Sequence, residues 1–308
     1  MLNSKFKQIL FLNKLQKIGQ LENINKINFV SKRNFTLISP SESLNNNEFI
    51  LSKMTGKNQN ILQIQLNSHK NRNALSRTLL DGLKTEINRI NSTNEIRAAI
   101  LLSAAPKYFC AGADLKERKN MSEEQVELFV NELRQTFQDF AEIRVPTIAC
   151  IDGPALGGGL ELALAADFRI GTKSSLIGLT EVALGIIPGA GGSQRLPRLI
   201  GEVKAKELIF TAERLSGEKA LDLGILNYTV ENYEDLEIKA MEIAEKIAIN
   251  APLAISAVKR AINLGIEQDL RTGLNIERLC YYQVIKTEDR LEGVKAFLEK
   301  RLPEYKGK

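Results

Sequence analysis

The chain has 308 residues, 44% of them hydrophobic, three cysteines, one histidine and a formal net charge of +5. That is ample apolar material for a sizeable core, and no apolar run approaches the ~18 residues a membrane-crossing helix needs. Cys110, Cys150 and Cys280 are too far apart for a metal motif or a disulfide framework, which points to a reducing compartment, and a lone His69 excludes any multi-histidine metal site.

The charge is unevenly placed. Residues 1–40 hold Lys5, Lys7, Lys14, Lys17, Lys26, Lys32 and Arg33 against Glu22, a net of +6, so residues 41–308 carry −1. A basic segment nearly free of acid, with Phe, Leu and Ile among Lys, Asn and Ser, reads as a transit peptide, and a disordered basic tail is the alternative. Arg33-Asn34-Phe35 before Thr36 resembles a matrix-protease cleavage site. The expected organisation is therefore a mitochondrial transit peptide at 1–35, a linker at 36–48, a core at 49–248 and a helical region at 249–308. A near-neutral body argues against a nucleic-acid-binding surface.

Within the body, Leu62, Ile64 and Leu66 alternate with Gln63 and Gln65, the pattern of a half-buried strand. Leu75, Leu79, Leu83, Ile87 and Ile90 then fall at helical spacing, with Arg77, Asp81 and Lys84 mixing signs on the other face. Ala98 to Leu102 predicts a buried strand, followed by a loop from Lys107 to Lys116. Cys110 in that loop reads as a small buried residue, because no histidine lies near it in sequence. Ser122 and Gln125 form a capping box ahead of an amphipathic helix that carries Val126, Phe129, Val130, Leu133, Phe137 and Phe140.

Thr147 to Ile151 is short and apolar enough for a buried strand, and Asp152-Gly153-Pro154 turns the chain. Gly157, Gly158 and Gly159 open an apolar helix whose one polar residue is Glu161. The next apolar run, Leu176 to Ile187, contains only Thr180 and Glu181 as polar members. A carboxylate in such surroundings is costly unless it is paired, hydrogen-bonded or protonated. Either glutamate alone is equally compatible with an ordinary polar group satisfied by backbone or arginine. Together, with raised pKa values, they could act as an acid–base pair. Glycines at a strand-to-helix turn let a ligand approach free N–H groups. Donors beside two carboxyls suit chemistry that builds an oxyanion while protons move at carbon. A further glycine cluster, 189–192, implies another close approach or a tight turn. Helices are expected at 205–212, 217–223, 236–249, 253–266 and 270–285, then a Lys-rich tail. Strands with crossovers followed by helices indicate an α/β body with a helical C-terminal region.

Several separated motifs then fall in one order: Phe109-Cys110-Ala111-Gly112-Ala113-Asp114-Leu115-Lys116, Ala155-Leu156-Gly157-Gly158-Gly159-Leu160-Glu161, Glu181, and Ile187-Pro188-Gly189-Ala190-Gly191-Gly192-Ser193-Gln194-Arg195-Leu196. In this order they resemble the enoyl-CoA hydratase/isomerase (crotonase) family over roughly residues 49–308. Ser193 stands where that family commonly has Thr. The resemblance implies a spiral of repeated β-β-α units with a C-terminal helical trimerisation region, assembled as a homotrimer or homohexamer. It implies that the N–H groups of Ala113 and Gly158 form an oxyanion hole for a thioester, and that Ala111, Asp114, Leu115 and Lys116 contact the CoA ester. Gly189 would help place a water. Glu161 would mainly activate that water, and Glu181 would mainly protonate Cα. No metal and no cofactor beyond the substrate's own coenzyme A is implied. Resembling isomerases usually keep only the carboxylate equivalent to Glu181, so the pair favours a hydratase (a hydro-lyase). The runs at 110–118, 157–164, 205–210 and 289–307 are most similar to members that hydrate 3-methylglutaconyl-CoA in leucine degradation. A general short-chain enoyl-CoA hydratase is the alternative, and an RNA-binding protein or a non-catalytic oligomer lies further off.

Overall fold

The structure, a computed structural model, describes residues 49–308. The transit peptide expected at 1–35 and the linker expected at 36–48 both lie outside the described residues.

The main sheet has six strands: β1 (Ile50–Thr55), β2 (Ile61–Leu66), β3 (Ala98–Ser103), β4 (Thr147–Ile151), β6 (Phe168–Thr172) and β9 (Tyr228–Val230), in that spatial order. Only the β1–β2 pair is antiparallel. A second, three-stranded sheet holds β5 (Pro154–Leu156), β7 (Leu176–Gly178) and β8 (Leu215–Ser216). The chain steps from one sheet to the other and then into a helix: β4 to β5 to α4 (Gly158–Leu164), and later β6 to β7 to the 3-10 turn Glu181–Leu184. This stepping is the repeated β-β-α unit, so α4 and Glu181 both emerge from the small sheet on the same side of the molecule.

Both faces of the main sheet are covered. Leu62, Ile64, Leu66, Ala99, Leu101, Ala149 and Ile151 point into one core. Ala98, Ile100, Leu102, Ile148, Cys150 and Ile170 pack against Leu236, Ala240 and Ala244 of α8 (Tyr233–Ala248). Two-sided burial makes β3 continuously apolar instead of alternating. It also corrects the half-buried reading of β2. Gln63 is buried against α8 and donates through Nε2 to Glu237 at 3.1 Å, because the helix covers the face that alternation assigns to solvent.

Around this frame lie α1 (Arg77–Ser92), α2 (Leu115–Arg118), α3 (Glu123–Glu142), α5 (Gly192–Ile200), α6 (Glu202–Phe210) and α7 (Gly217–Asp222). Ser122 and Gln125 close the capping box of α3 with bonds of 3.3 and 2.9 Å. The C-terminal helices are α9 (Pro252–Gly265), α10 (Leu270–Ile285) and α11 (Glu288–Glu299). Three of these elements correct the sequence reading. The 189–192 glycines run straight into helix α5, part of the expected 107–116 loop is the short helix α2, and the segment read as a tail begins with helix α11. The last residues fold back on their own chain: the N–H groups of Lys306 and Gly307 donate to Asp289 at 2.7 and 2.9 Å, and Arg97 donates to the Tyr305 carbonyl at 2.8 Å. No helix among the described residues is long and apolar enough to cross a membrane.

Candidate active site

A cavity of about 730 Å³ opens between α3, the start of α4 and the loop from Leu184 to Gln194. Its polar floor is made by the two glycine-bearing turns. The backbone of Leu75 pairs with the loop beside it: Leu75 N–H donates to Gly112 O at 2.7 Å, and Asp114 N–H to Leu75 O at 3.3 Å. This parallel bridge turns the Ala113 N–H the other way, with no acceptor among the described residues. The Gly158 N–H sits in the first turn of α4, where helix geometry leaves donors unpaired, and it also lacks an acceptor among those residues. The two donors adjoin, since a Cβ placed on Gly158 would lie 3.9 Å from the Ala113 nitrogen. That same Cβ would come within 2.6 Å of Leu75 Cδ1, so a larger residue would move the wall of the site.

Glu161 is one turn into α4 and 3% exposed. Its Oε1 accepts two backbone N–H bonds, from Ala190 and Gly192, both at 2.8 Å. The 189–192 glycine cluster is therefore a clamp for the carboxylate. Two arginines hold the clamp from outside: Arg134 Nε donates to Gly189 O at 3.0 Å, and Arg195 Nη1 to Ala190 O at 3.2 Å. With Oε1 occupied, Oε2 is the atom left for chemistry. Burial raises the Glu161 pKa, and the Gly192 and Ala190 amides, Arg195 and Arg118 pull against that rise.

Glu181 opens the 3-10 turn and is 8% exposed. Its Oε2 is buried without a hydrogen-bond partner among the described residues. Burial first, and the neighbouring Glu161 charge second, push its pKa up to about 7. Gly157, at φ +52°, faces it; a Cβ there would lie 3.2 Å from Glu181 Oε1. Consecutive glycines thus back onto the two carboxyls, and only glycine leaves both in reach of a ligand at the N-terminus of α4.

Ala111, Ala113, Leu115, Gly158, Glu161, Glu181 and Gly189 all line this cavity. Asp114 and Lys116 do not. The buried Asp114 carboxylate caps α2, with Oδ1 accepting from the N–H groups of Lys116 and Glu117 at 3.0 and 3.2 Å and Oδ2 from Asn71 at 3.2 Å. Its part in the site is to shape the loop that presents Ala113. Cys110 is fully buried, its thiol donates to Asn73 O at 2.9 Å, and burial pushes its pKa up to about 12, so it is no nucleophile at neutral pH. His69 is outside the cavity, with Nδ1 2.7 Å from the Tyr108 hydroxyl. Sequence reasoning missed the Ala190 and Gly192 amides, whose signal was the glycine cluster itself. It also missed Arg118, which lines the cavity.

Comparisons with known proteins place the chain in a family. The enoyl-CoA hydratase/isomerase family profile matches residues 56–308. Mouse enoyl-CoA hydratase domain-containing protein 2, mitochondrial, is 46% identical over 264 residues, 85% of this chain and 89% of that protein. Mouse methylglutaconyl-CoA hydratase, mitochondrial, is 46% identical over 270 residues, 87% of this chain and 86% of that one. The crystal structure of an enoyl-CoA hydratase from Bacillus anthracis superposes with a TM-score of 0.81 at 49% identity, covering 84% of this chain and all of that chain. The chain belongs to the enoyl-CoA hydratase/isomerase family.

Proposed function

We propose that this hydro-lyase adds water reversibly across the 2,3 double bond of 3-methylglutaconyl-CoA, giving 3-hydroxy-3-methylglutaryl-CoA in leucine degradation. The observation that carries the reading is the pair of buried carboxyls beside two unpaired backbone N–H groups in one cavity. Adding water to an enoyl thioester needs a base at Cβ, an acid at Cα and a place for charge on the thioester oxygen.

The Ala113 and Gly158 N–H groups hold that oxygen. Donors of this kind are each worth about 2.7–4 kcal/mol in other enzymes. Glu161 has one oxygen fixed by two amides, so its other oxygen takes a proton from water as the water oxygen bonds to Cβ. Glu181, with its pKa raised to about 7, is protonated in a large share of molecules at neutral pH and delivers that proton to Cα. The enolate then collapses to the saturated thioester, and one water has been added. Gly189 lines the cavity on the Glu161 side and helps seat the water. Ala111 and Leu115 line the cavity, and the turn that Leu115 shares with Asp114 and Lys116 suits contact with the CoA ester. No cofactor enters these steps beyond the coenzyme A that the substrate carries.

The named acyl group is supported by the 46% identity to the mouse methylglutaconyl-CoA hydratase. The relatives named mitochondrial, together with the basic segment at 1–40, support a mitochondrial matrix location. Large apolar side chains left exposed along residues 249–302 support assembly of copies through that region, as trimers or paired trimers. The test is hydration of 3-methylglutaconyl-CoA and crotonyl-CoA side by side. The proposal expects kcat/KM to favour the branched substrate by about tenfold or more. A preference for crotonyl-CoA would instead support a general short-chain hydratase.

A further inference from the structure

Three arginines stand around the site, and two of them have partners. Arg134 and Arg195 donate to the carbonyls of Gly189 and Ala190, and they also bond Asn131 and Gln138. The third, Arg118, ends α2 and lines the cavity. Its guanidinium makes no hydrogen bond among the described residues, and no carboxylate of theirs lies within the 4.0 Å of an ion pair. Its Nε is fully buried and unpaired. Its Cζ lies over the Phe129 ring, 5.7 Å from the centroid. Arg77 lies at the same distance from that ring, but it is ion-paired with Glu117 at 3.9 Å.

A half-buried cation without a counterion is costly, and burial lowers the Arg118 pKa even though the charges of Glu161 and Glu181 oppose that. A planar guanidinium matches a carboxylate through two parallel N–H bonds. Val126, Val130 and Leu133 of α3, and Leu115, add apolar lining to the same cavity, and the other α3 cation there, Arg134, is already bonded to Gly189 O and Asn131. A purely hydrocarbon acyl chain would leave the cation unanswered. A chain ending in a carboxylate would satisfy it.

We propose that Arg118 is the receptor for the distal carboxylate of the acyl group, and so selects dicarboxylic enoyl-CoA substrates over hydrocarbon ones. The inference rests on the substrate reading above and names the residue that would carry it. The reacting carbons lie between thioester and distal carboxylate, so holding both ends places the double bond beside the two glutamates.

The test measures binding and turnover on the same full-length protein. Glutaryl-CoA and pentanoyl-CoA match in chain length and differ in the terminal carboxylate, and neither can be hydrated. The wild type should bind glutaryl-CoA more tightly. Arg118→Met should raise the glutaryl-CoA Kd by about 10- to 100-fold, the range lost with a charge-assisted hydrogen bond, and the pentanoyl-CoA Kd by at most a few fold. Arg118→Lys should recover part of the loss. Pentanoyl-CoA binding reports that the variant is folded, and the ratio of the two Kd values cancels any shared effect through the glutamates. Equal losses for both thioesters, or none for either, would overturn the inference while leaving the substrate reading intact if wild type still prefers 3-methylglutaconyl-CoA. A wild type that binds both equally and hydrates crotonyl-CoA faster would overturn both.

Discussion

The floor of the cavity and the C-terminal helices treat their side chains in opposite ways. Between Thr147 and Gly192 nearly every apolar group of the strands and of α4 is buried, and polar groups are spent on each other: Glu161 on two amides, Thr147 on Asp167, and Asp152 on Lys107 N–H and the Thr172 hydroxyl. Glu181 Oε2 and the Gly158 N–H have no such partner among the described residues, and both lie at the cavity, beside the Ala113 N–H of the neighbouring loop. From Ile249 onward the helices leave Ile266, Leu270, Phe297 and Leu298 at 74–80% exposure. The first region is finished within one chain apart from the groups it offers a substrate. The second leaves apolar surface of the kind that copies of a chain cover when they assemble. One strong tie joins them: Lys259 of α9, buried, donates to Asp167 Oδ2 at 2.7 Å and to the Val145 carbonyl at 2.9 Å.

The largest expected effect lies in the first region. Glu161→Gln should lower kcat/KM by about 10²–10⁴, the usual contribution of a positioned acid or base. It should not lower the melting temperature, because Gln keeps the oxygen that accepts from Ala190 and Gly192 and removes a buried charge. A melting temperature that falls together with activity would mean that the site is structural, and the contrast between regions would fail. Next comes the tie. Lys259→Met leaves Asp167 with its Thr147 bonds but no counterion and should cost about 3 kcal/mol of stability in denaturant titration, in the range for breaking a buried pair.

A smaller effect is the pH dependence of stability. Glu181 titrates near 7 in the folded chain, above the 4.5 of an ordinary glutamate. As pH rises from about 4.5 to about 7 the unfolded carboxyl ionises before the folded one, so stability should fall across that window and level off above it. Comparing wild type with Glu181→Gln in thermal melts at several pH values isolates the slope, which the variant should lack. The smallest effect on the single chain belongs to the second region. Leu298→Arg should change monomer stability by about 0.5 kcal/mol or less, as exposed substitutions do, yet shift the sedimenting species to lower mass. An unchanged mass would show that this face is not an assembly surface.

Much of this was legible in residues. The 3.6-residue stripe of α1, the capping box at Ser122 and the apolar strand Thr147–Ile151 carry local signals, and they fold as read. Glu161 and Glu181 stood out because each is the lone acid in an apolar run. What escaped was non-local. Gln63 looked solvent-facing because alternation cannot reveal that α8, more than 170 residues on, covers that face. Glycines 189–192 looked like a turn because their role is to aim two amides at a carboxylate 30 residues earlier. The capping role of the Asp114 carboxylate was hidden too, because the short helix α2 that it caps was read as loop. Arg118 closes the 110–118 run that carries the resemblance, but its isolation is visible only once the walls of the cavity are in place.

The central claim is that Glu161 and Glu181 act as one unit on opposite ends of the double bond. A double-mutant cycle of Glu161→Gln, Glu181→Gln and the pair, read as kcat/KM for hydration, tests it most directly. The account predicts that each single variant loses about 10²–10⁴ and that the double variant is far less impaired than the product of the two losses, as for groups that act together. A single variant that hydrates at the wild-type rate, or losses that multiply fully, would contradict it.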